Sequence, residues 1–492
     1  MLIKKNRDEI ENYLVDASNF KGNCDAVFFP EDISEIPGIL LEANKKGTPV
    51  TIAGNGTGLT GARVPEGGIV IATDRLNKIL KINSKQMYAV VEPAVILADF
   101  QNILKEKHLM YPPDPTEKNC YIGGTVATNA SGEKTFKYGP TRDYVLELEV
   151  ILPNGELLKL KRGKIKAKDY DLELITEHDK KIKIKIPDYK MPKTKNASGY
   201  FCKKNMDAID LFIGSEGTLG VITKIKVKLV PLPEKIISCL VFFYDDKNAL
   251  SFIQDARNVS FNTRLREDPR CIEALALEFF DENALNFLAN DYPQIPSYAK
   301  AGVWFEQEVT SKNEDFFFEC WIDLINEFKG DDESTWLAVT DSDNKKIQGF
   351  RHAISVKVNE YMSGRNFKKL GTDVAVPDDK FEEFYFYCKK LVEKNSIDYV
   401  NYGHFGNSHM HLNMLPKNEK ENDICKNTYH IICLKAIELG GTISAEHGIG
   451  KLKTNYLADM YGKENIDKMF QLKKTLDPNL ILGRGNIFGS SI

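Results

Sequence analysis

Short runs of β-branched and aromatic residues recur along this chain, separated by stretches whose apolar residues fall three or four apart. The first pattern predicts strands and the second helices. Residues 1–20 read as a polar amphipathic helix, and Glu31-Asp32-Ile33-Ser34-Glu35-Ile36 opens another that reaches Ala43-Asn44. Strands are expected at 49–53 and 68–72, and residues 88–94 form a strand leading into a helix over 97–105. Residues 147–157 read as a hairpin turning at Asn154-Gly155, the pair that suits a two-residue turn. The Lys-, Asp- and Glu-rich stretch 160–190 reads as a solvated excursion, a β-ribbon, and 224–231 as a strand. Leu232-Pro233 then punctuates the chain, and a domain boundary is placed there.

Beyond it the character changes. Strands are expected at 236–244, 272–280, 301–307 and 370–377, and helices at 249–259, 283–288, 314–328, 343–362 and 380–395. Two more helices fall in the last forty residues. The first half reads as mixed α/β. The second reads as an α+β domain, an antiparallel sheet covered by helices.

At 492 residues the chain exceeds what one core organises, so two or three domains are expected. Its net charge of -4, with the signs well mixed, argues against a nucleic-acid surface. No apolar run has the length of a membrane span, and the first residues lack the apolar core of a secretory signal, so a cytoplasmic protein is expected. The nine cysteines, 24, 120, 202, 239, 271, 320, 388, 425 and 433, are scattered with no Cys-x-x-Cys pair. That pattern suggests reduced thiols and excludes a ferredoxin-type iron–sulfur run. Electrons leaving through a cluster would need another protein.

Three small-residue stretches stand out. Gly54-Asn55-Gly56-Thr57-Gly58-Leu59-Thr60-Gly61 lies between two predicted strands. It has no lysine, so it is not the nucleoside-triphosphate loop, and it lacks the dinucleotide fingerprint spacing. Its free N–H groups suit a pyrophosphate, and its glycines equally suit a hairpin turn. Residues 122–132 and 211–223 are also glycine- and hydroxyl-rich, fitted either to a flat ligand or to a tightly packed turn.

Four of the eight histidines fall in two segments, Tyr402-Gly403-His404-Phe405-Gly406-Asn407-Ser408-His409-Met410-His411-Leu412-Asn413 and Gly440–Gly450. Imidazoles with a carboxylate suit a borderline divalent ion, and a pair seven apart through a glycine turn can converge on one. Histidine is also the usual base near neutral pH. The spacing is not that of a zincin protease. His409 and His411 would share a strand face, and spacing does not say which of them binds.

Taken together, these five segments resemble, in order, the flavoproteins of the vanillyl-alcohol-oxidase and p-cresol-methylhydroxylase superfamily. The branch is that of D-lactate dehydrogenase, the glycolate oxidase catalytic subunit and D-2-hydroxyglutarate dehydrogenase, and the resemblance runs from about residue 24 to Phe488. It implies an N-terminal helix at 1–22, a two-subdomain FAD-binding domain at 23–233, and a substrate or cap domain at 234–454. A helical segment at 455–492 would return to the FAD domain.

It further implies non-covalent FAD. The contacts would be Gly54, Asn55, Gly56, Thr57, Gly58, Leu59, Thr60, Pro115, Gly123, Gly124, Thr125, Ala127, Thr128, Asn129, Ser131, Gly132, Tyr138, Glu216, Gly217, Gly220, Ile222 and Asn486. A divalent metal, zinc or manganese, would sit on His404, His411 and Glu446. His447 matches the catalytic base, Arg351 the arginine that clamps the substrate carboxylate, and Ser355 and Asn413 two further substrate contacts. Three departures are visible: Gly371 stands near a substrate-holding lysine of some members, leaving that contact missing or supplied by Lys368 or Lys369. His409 stands where Asn is usual, and Ala53 replaces a frequent Arg.

The activity implied is oxidation of a D-2-hydroxy acid to the 2-oxo acid, with the C2 hydride passing to flavin N5. Electrons would go on to an electron-transfer flavoprotein, a quinone or an iron–sulfur subunit. A homodimer and peripheral membrane attachment are compatible with it. Two rivals are a non-redox FAD enzyme of the alkyl-dihydroxyacetone-phosphate synthase type and a flavin-free metal hydrolase. Arg351 and the histidine pair favour the dehydrogenase over the first; a colourless protein would favour the second.

Overall fold

A computed structural model describes residues 1–266, 272–365 and 367–489; Cys271 lies outside them. The first region is built on two larger sheets, with two two-stranded ladders beside them. One of the larger sheets has the strand order Leu2–Lys4, Ala26–Phe29, Ile69–Ala72, Val50–Ala53. Val50–Ala53 and Ile69–Ala72 are parallel neighbours, so the glycine stretch between them is a crossover loop and not a hairpin. The expected helix over 1–20 is not formed. Leu2–Lys4 instead pairs antiparallel with Ala26–Phe29, and helix is limited to Arg7–Ile10 and one 3-10 turn, Glu11–Tyr13. Edge pairing there outweighs helical propensity in a segment that buries little beyond Ile10.

The second sheet is antiparallel, in the order Ile79–Asn83, Tyr88–Val91, Val221–Lys228, Val145–Ile151, Leu157–Lys161. Gly155, in the turn after Val145–Ile151, has φ +77°, which a glycine adopts without steric cost. The polar excursion is a two-stranded ribbon, Asp171–Ile175 against Lys181–Lys185, with Leu172, Leu174 and Ile184 turned into the core.

From Lys235 the chain builds one eight-stranded sheet whose recorded pairings are all antiparallel. Its central strands, Lys235–Phe243, Ala274–Asp281 and Ala301–Val309, are buried almost end to end because helices cover both faces. Alternate residues enter alternate cores. Val241, Phe243, Phe279, Val303 and Phe305 join Phe252 of helix Asp246–Arg266 and Trp321 of helix Glu314–Glu327. Leu240, Phe242, Phe280 and Trp304 join Leu285 of helix Glu282–Leu288 and Phe350 and Ile354 of helix Asp341–Ser363. Edge strand Gly330–Ala338 and helix Glu419–Glu438 are elements the sequence reading did not include.

The C-terminal helices Thr454–Tyr461 and Lys463–Leu476 lead back to the first sheet. There Val50 N–H donates to Ile481 O (2.7 Å) and Gly483 N–H to Val50 O (2.9 Å). The described cysteines form no disulfide, and no described helix is long and apolar enough to cross a membrane.

Candidate active site

Strands Tyr399–Gly403 and His409–Met414 pair antiparallel, with Tyr402 opposite His411. The connection is tight. Gly403 has φ +148°, and a Cβ there would lie 3.0 Å from His409 O and 3.1 Å from His411 N. This fold-back places His404 beside His411, with ring centroids 5.5 Å apart.

Each imidazole is held by its Nδ1. His404 Nδ1 lies 2.6 Å from Glu278 Oε1, and His411 Nδ1 lies 3.1 Å from the Thr372 carbonyl. The Nε2 atoms therefore face one carboxylate, at 3.4 Å from Glu446 Oε1 for His404 and 3.8 Å from Glu446 Oε2 for His411. Such outer partners fix the tautomer and aim the free nitrogen at an ion. Burial raises the Glu446 carboxyl, but His404 and Lys195 reverse that and hold it well below the usual range. Burial and the neighbouring imidazoles hold His411 well below its ordinary value. These two imidazoles and the ionised carboxylate, with His409 within reach as a fourth donor, converge in a way that fits a divalent cation such as zinc or manganese.

Glu278 comes from the middle of the buried strand Ala274–Asp281. Its second oxygen accepts from Arg351 Nε at 2.6 Å, so one fully buried carboxylate orients both His404 and Arg351. Arg351 and Ser355 lie one turn apart on helix Asp341–Ser363, and Ser355 Oγ is 3.0 Å from Tyr402 OH.

The strand expected at 370–377 is broken into Leu370–Gly371 and Val374–Ala375. The break turns Asp373 inward, completely buried. Asp373 accepts from the backbone N–H of Glu446 (3.2 Å) and His447 (3.0 Å), from Ser444 Oγ (2.7 Å) and from Lys453 Nζ (2.8 Å). His447 Nδ1 lies 3.3 Å from Asp373 Oδ2. Burial keeps the His447 imidazole below its ordinary pKa although Asp373 pulls it up, so it is neutral and able to take a proton. His409 is fully buried with Nε2 3.0 Å from Asp373 Oδ1, and burial lowers it to about 4. It is absent from the cavity wall, but its buried Nδ1 has no hydrogen-bond partner and it clusters with His404, His411 and Glu446.

These groups face the glycine loop across a cavity of about 1250 Å³. Every expected residue from Gly54 to Thr60 lines it. So do Pro115, Gly123, Gly124, Thr125, Ala127, Thr128, Ser131, Glu216, Gly217, Gly220 and Ile222. Arg351, Ser355, His404, His411, Asn413, Glu446 and His447 line the same space. Thr60 Oγ1 donates to the His447 carbonyl at 3.3 Å, so the loop touches the segment that carries His447. Among the described residues, no backbone N–H from Gly54 to Thr60 donates to a protein acceptor, whereas Gly61 N–H bonds Asp16 Oδ2 at 2.9 Å. A row of unpaired amides on a cavity wall fits a pyrophosphate.

Four expected cofactor contacts are not brought to that wall. Asn129 ends helix Ile122–Thr128 with φ +51° and accepts from Arg142 N–H. Gly132 is demanded by packing, since a Cβ would meet Asp114 O at 2.0 Å. Tyr138 OH donates to Glu308 at 2.6 Å, and Asn486 joins the C-terminal segment to Ala62, Glu216 and Lys451.

Sequence reasoning also missed Glu278, Asp373 and Lys195. Their signal was an acid within an apolar strand for the first two, and none for Lys195. Of the two lysines offered in place of Gly371, both line the cavity, and Lys368 Nζ also donates to Ser18 O (3.1 Å).

Family models match the chain twice: an FAD binding domain over residues 24–161 and the C-terminal domain of FAD linked oxidases over 249–487. The glycolate oxidase subunit GlcD of Bacillus subtilis (strain 168) is 32% identical over 97% of this chain and 92% of its own length. A D-lactate dehydrogenase of Anaerostipes hadrus is 29% identical over 92% and 87%. The solved structure of p-cresol methylhydroxylase with substrate bound superposes with a TM-score of 0.71 at 14% identity, covering 100% of this chain and 94% of that one. The fold is the p-cresol-methylhydroxylase type.

Proposed function

The chain belongs to the family of FAD-linked oxidases, and from that premise we propose that it oxidises a D-2-hydroxy acid of the lactate, glycolate or 2-hydroxyglutarate type to the 2-oxo acid. The observation that carries this reading is the single cavity in which Arg351, the Asp373–His447 pair and the unpaired loop amides face one another.

The terminal nitrogens of Arg351 match a carboxylate in a forked, charge-assisted pair, and Glu278 holds the guanidinium ready through Nε. Ser355 and Asn413 contact the same end of the substrate. Neutral His447 takes the 2-hydroxyl proton, and Asp373 stabilises the imidazolium that results. His404, His411 and Glu446 would hold zinc or manganese, which supplies Lewis acidity to a hydroxyl or carboxylate oxygen. The Gly54–Thr60 amides and the 122–131 wall would hold FAD, which would supply the two-electron acceptor chemistry. The electrons pass to a separate acceptor, an electron-transfer flavoprotein, a quinone or an iron–sulfur partner.

His447→Ala, mixed anaerobically with D- and L-2-hydroxy acids in single turnover, is expected to lose flavin reduction by about a hundredfold or more. Unchanged reduction removes His447 from the role. Bleaching by no acid of the wild-type panel overturns the substrate class.

A further inference from the structure

Lys195 belongs to a stretch, 187–200, without regular secondary structure. It is nonetheless firmly placed. Ala197 N–H donates to Ser444 O (2.8 Å), Ser198 Oγ and Thr442 Oγ1 share a hydrogen bond (2.8 Å), and Thr442 Oγ1 donates to Asn196 Oδ1 (2.6 Å). The stretch is thus stitched to the segment that carries Glu446. From it the Lys195 ammonium donates to Glu446 Oε1, the oxygen that also accepts from Ser131 Oγ (3.1 Å) and faces His404 Nε2. The Lys195 side chain is 6% exposed and that of Glu446 9%, so water screens the pair little. Lys195 is absent from the cavity wall, which puts it behind Glu446 and out of reach of substrate.

Glu446 is the single formal anion among His404, His411 and Glu446, and Lys195 cancels it. We propose that Lys195 is a fixed counter-charge to Glu446 that lowers the affinity of this histidine–carboxylate site for a divalent cation and keeps the ion exchangeable. A unit positive charge one carboxylate away from a divalent cation repels it strongly in a water-poor setting. The same hydrogen bond positions the carboxylate, so Lys195 is a positioning residue. Its charge and its placement act in opposite directions on the ion, and that opposition makes the inference testable. It rests on the metal reading given above.

The test uses flavin-loaded enzyme dialysed against a chelator and then titrated with zinc and, separately, manganese against a chromophoric competitor. Lys195→Gln keeps a donor towards Glu446 without the charge, and Lys195→Met removes both. Flavin content and thermal midpoint establish that each variant is folded. Binding tightened on the order of tenfold or more in folded Lys195→Gln is expected, with a smaller gain in Lys195→Met. Equal or weaker binding in Lys195→Gln, with the wild type still binding metal, overturns the counter-charge while leaving the metal reading in place. Binding by neither the wild type nor the variants overturns both. A purely structural lysine would loosen the site when removed, so the sign of the change separates the two roles.

Discussion

The two walls of the cavity recognise by different means. On one wall the loop Gly54–Thr60 turns main-chain amides without protein acceptors to the cavity, beside the small residues of helix Ile122–Thr128 and of 216–222. On the cap side every chemical group is a side chain, drawn from strand Ala274–Asp281, helix Asp341–Ser363, the break at Asp373, the His404–His411 turn and the loop around Glu446. A backbone cradle needs small residues and a fixed turn, and charge is incidental to it. A side-chain cluster needs buried charges that neutralise one another, so removing one member strands the rest.

The largest expected effect breaks the cap side. Asp373→Asn leaves Lys453 and the backbone donors of Glu446 and His447 without their anion. Breaking a buried pair costs about 3–5 kcal/mol, so a sharply lowered thermal midpoint and near-complete loss of flavin reduction are expected. A variant that melts like the wild type and still reduces its flavin would show that Asp373 does not organise the cluster.

On the flavin side the effect divides between neighbouring glycines. A Cβ at Gly123 would meet Pro93 Cβ at 2.6 Å, whereas one at Gly124 meets nothing within 4 Å. Gly123→Ala is therefore expected to lower the thermal midpoint by several degrees. Gly124→Val should leave the apoprotein's midpoint nearly unchanged while lowering flavin content after gel filtration. If Gly124→Val retains full flavin, helix Ile122–Thr128 does not pack against the cofactor.

The same contrast explains what the sequence disclosed. The glycine loop and the histidine pair each lie within one short segment, and both segments line the one cavity. Antiparallel strands covered by helices were legible from short apolar runs such as 236–244. Glu278 was hidden because its strand reads as a buried apolar run, and its partners His404 and Arg351 lie 126 and 73 residues away. Asp373 sat inside a strand pattern that its own hydrogen bonds interrupt. Lys195 meets Glu446 across a separation of 251 residues, which no local periodicity records. The failed helix at 1–20 was a tertiary matter, since pairing with Ala26–Phe29 decides it.

The smallest expected effect sharpens the cap side. Ser355 Oγ is 3.0 Å from Tyr402 OH, and Tyr402 carries the Arg351 guanidinium over its ring at 5.8 Å. Ser355→Ala removes a neutral hydroxyl and leaves every charge in place. A neutral hydrogen bond is worth about 1 kcal/mol net, so a loss of roughly fivefold in kcat/KM is expected. It should fall mainly on KM, because a hydroxyl that only helps seat the carboxylate acts on ground and transition states alike. A loss beyond about a hundredfold, confined to kcat, would mean that Ser355 acts on the reacting hydroxyl, and the division between charged machinery and neutral seating on this wall would fail.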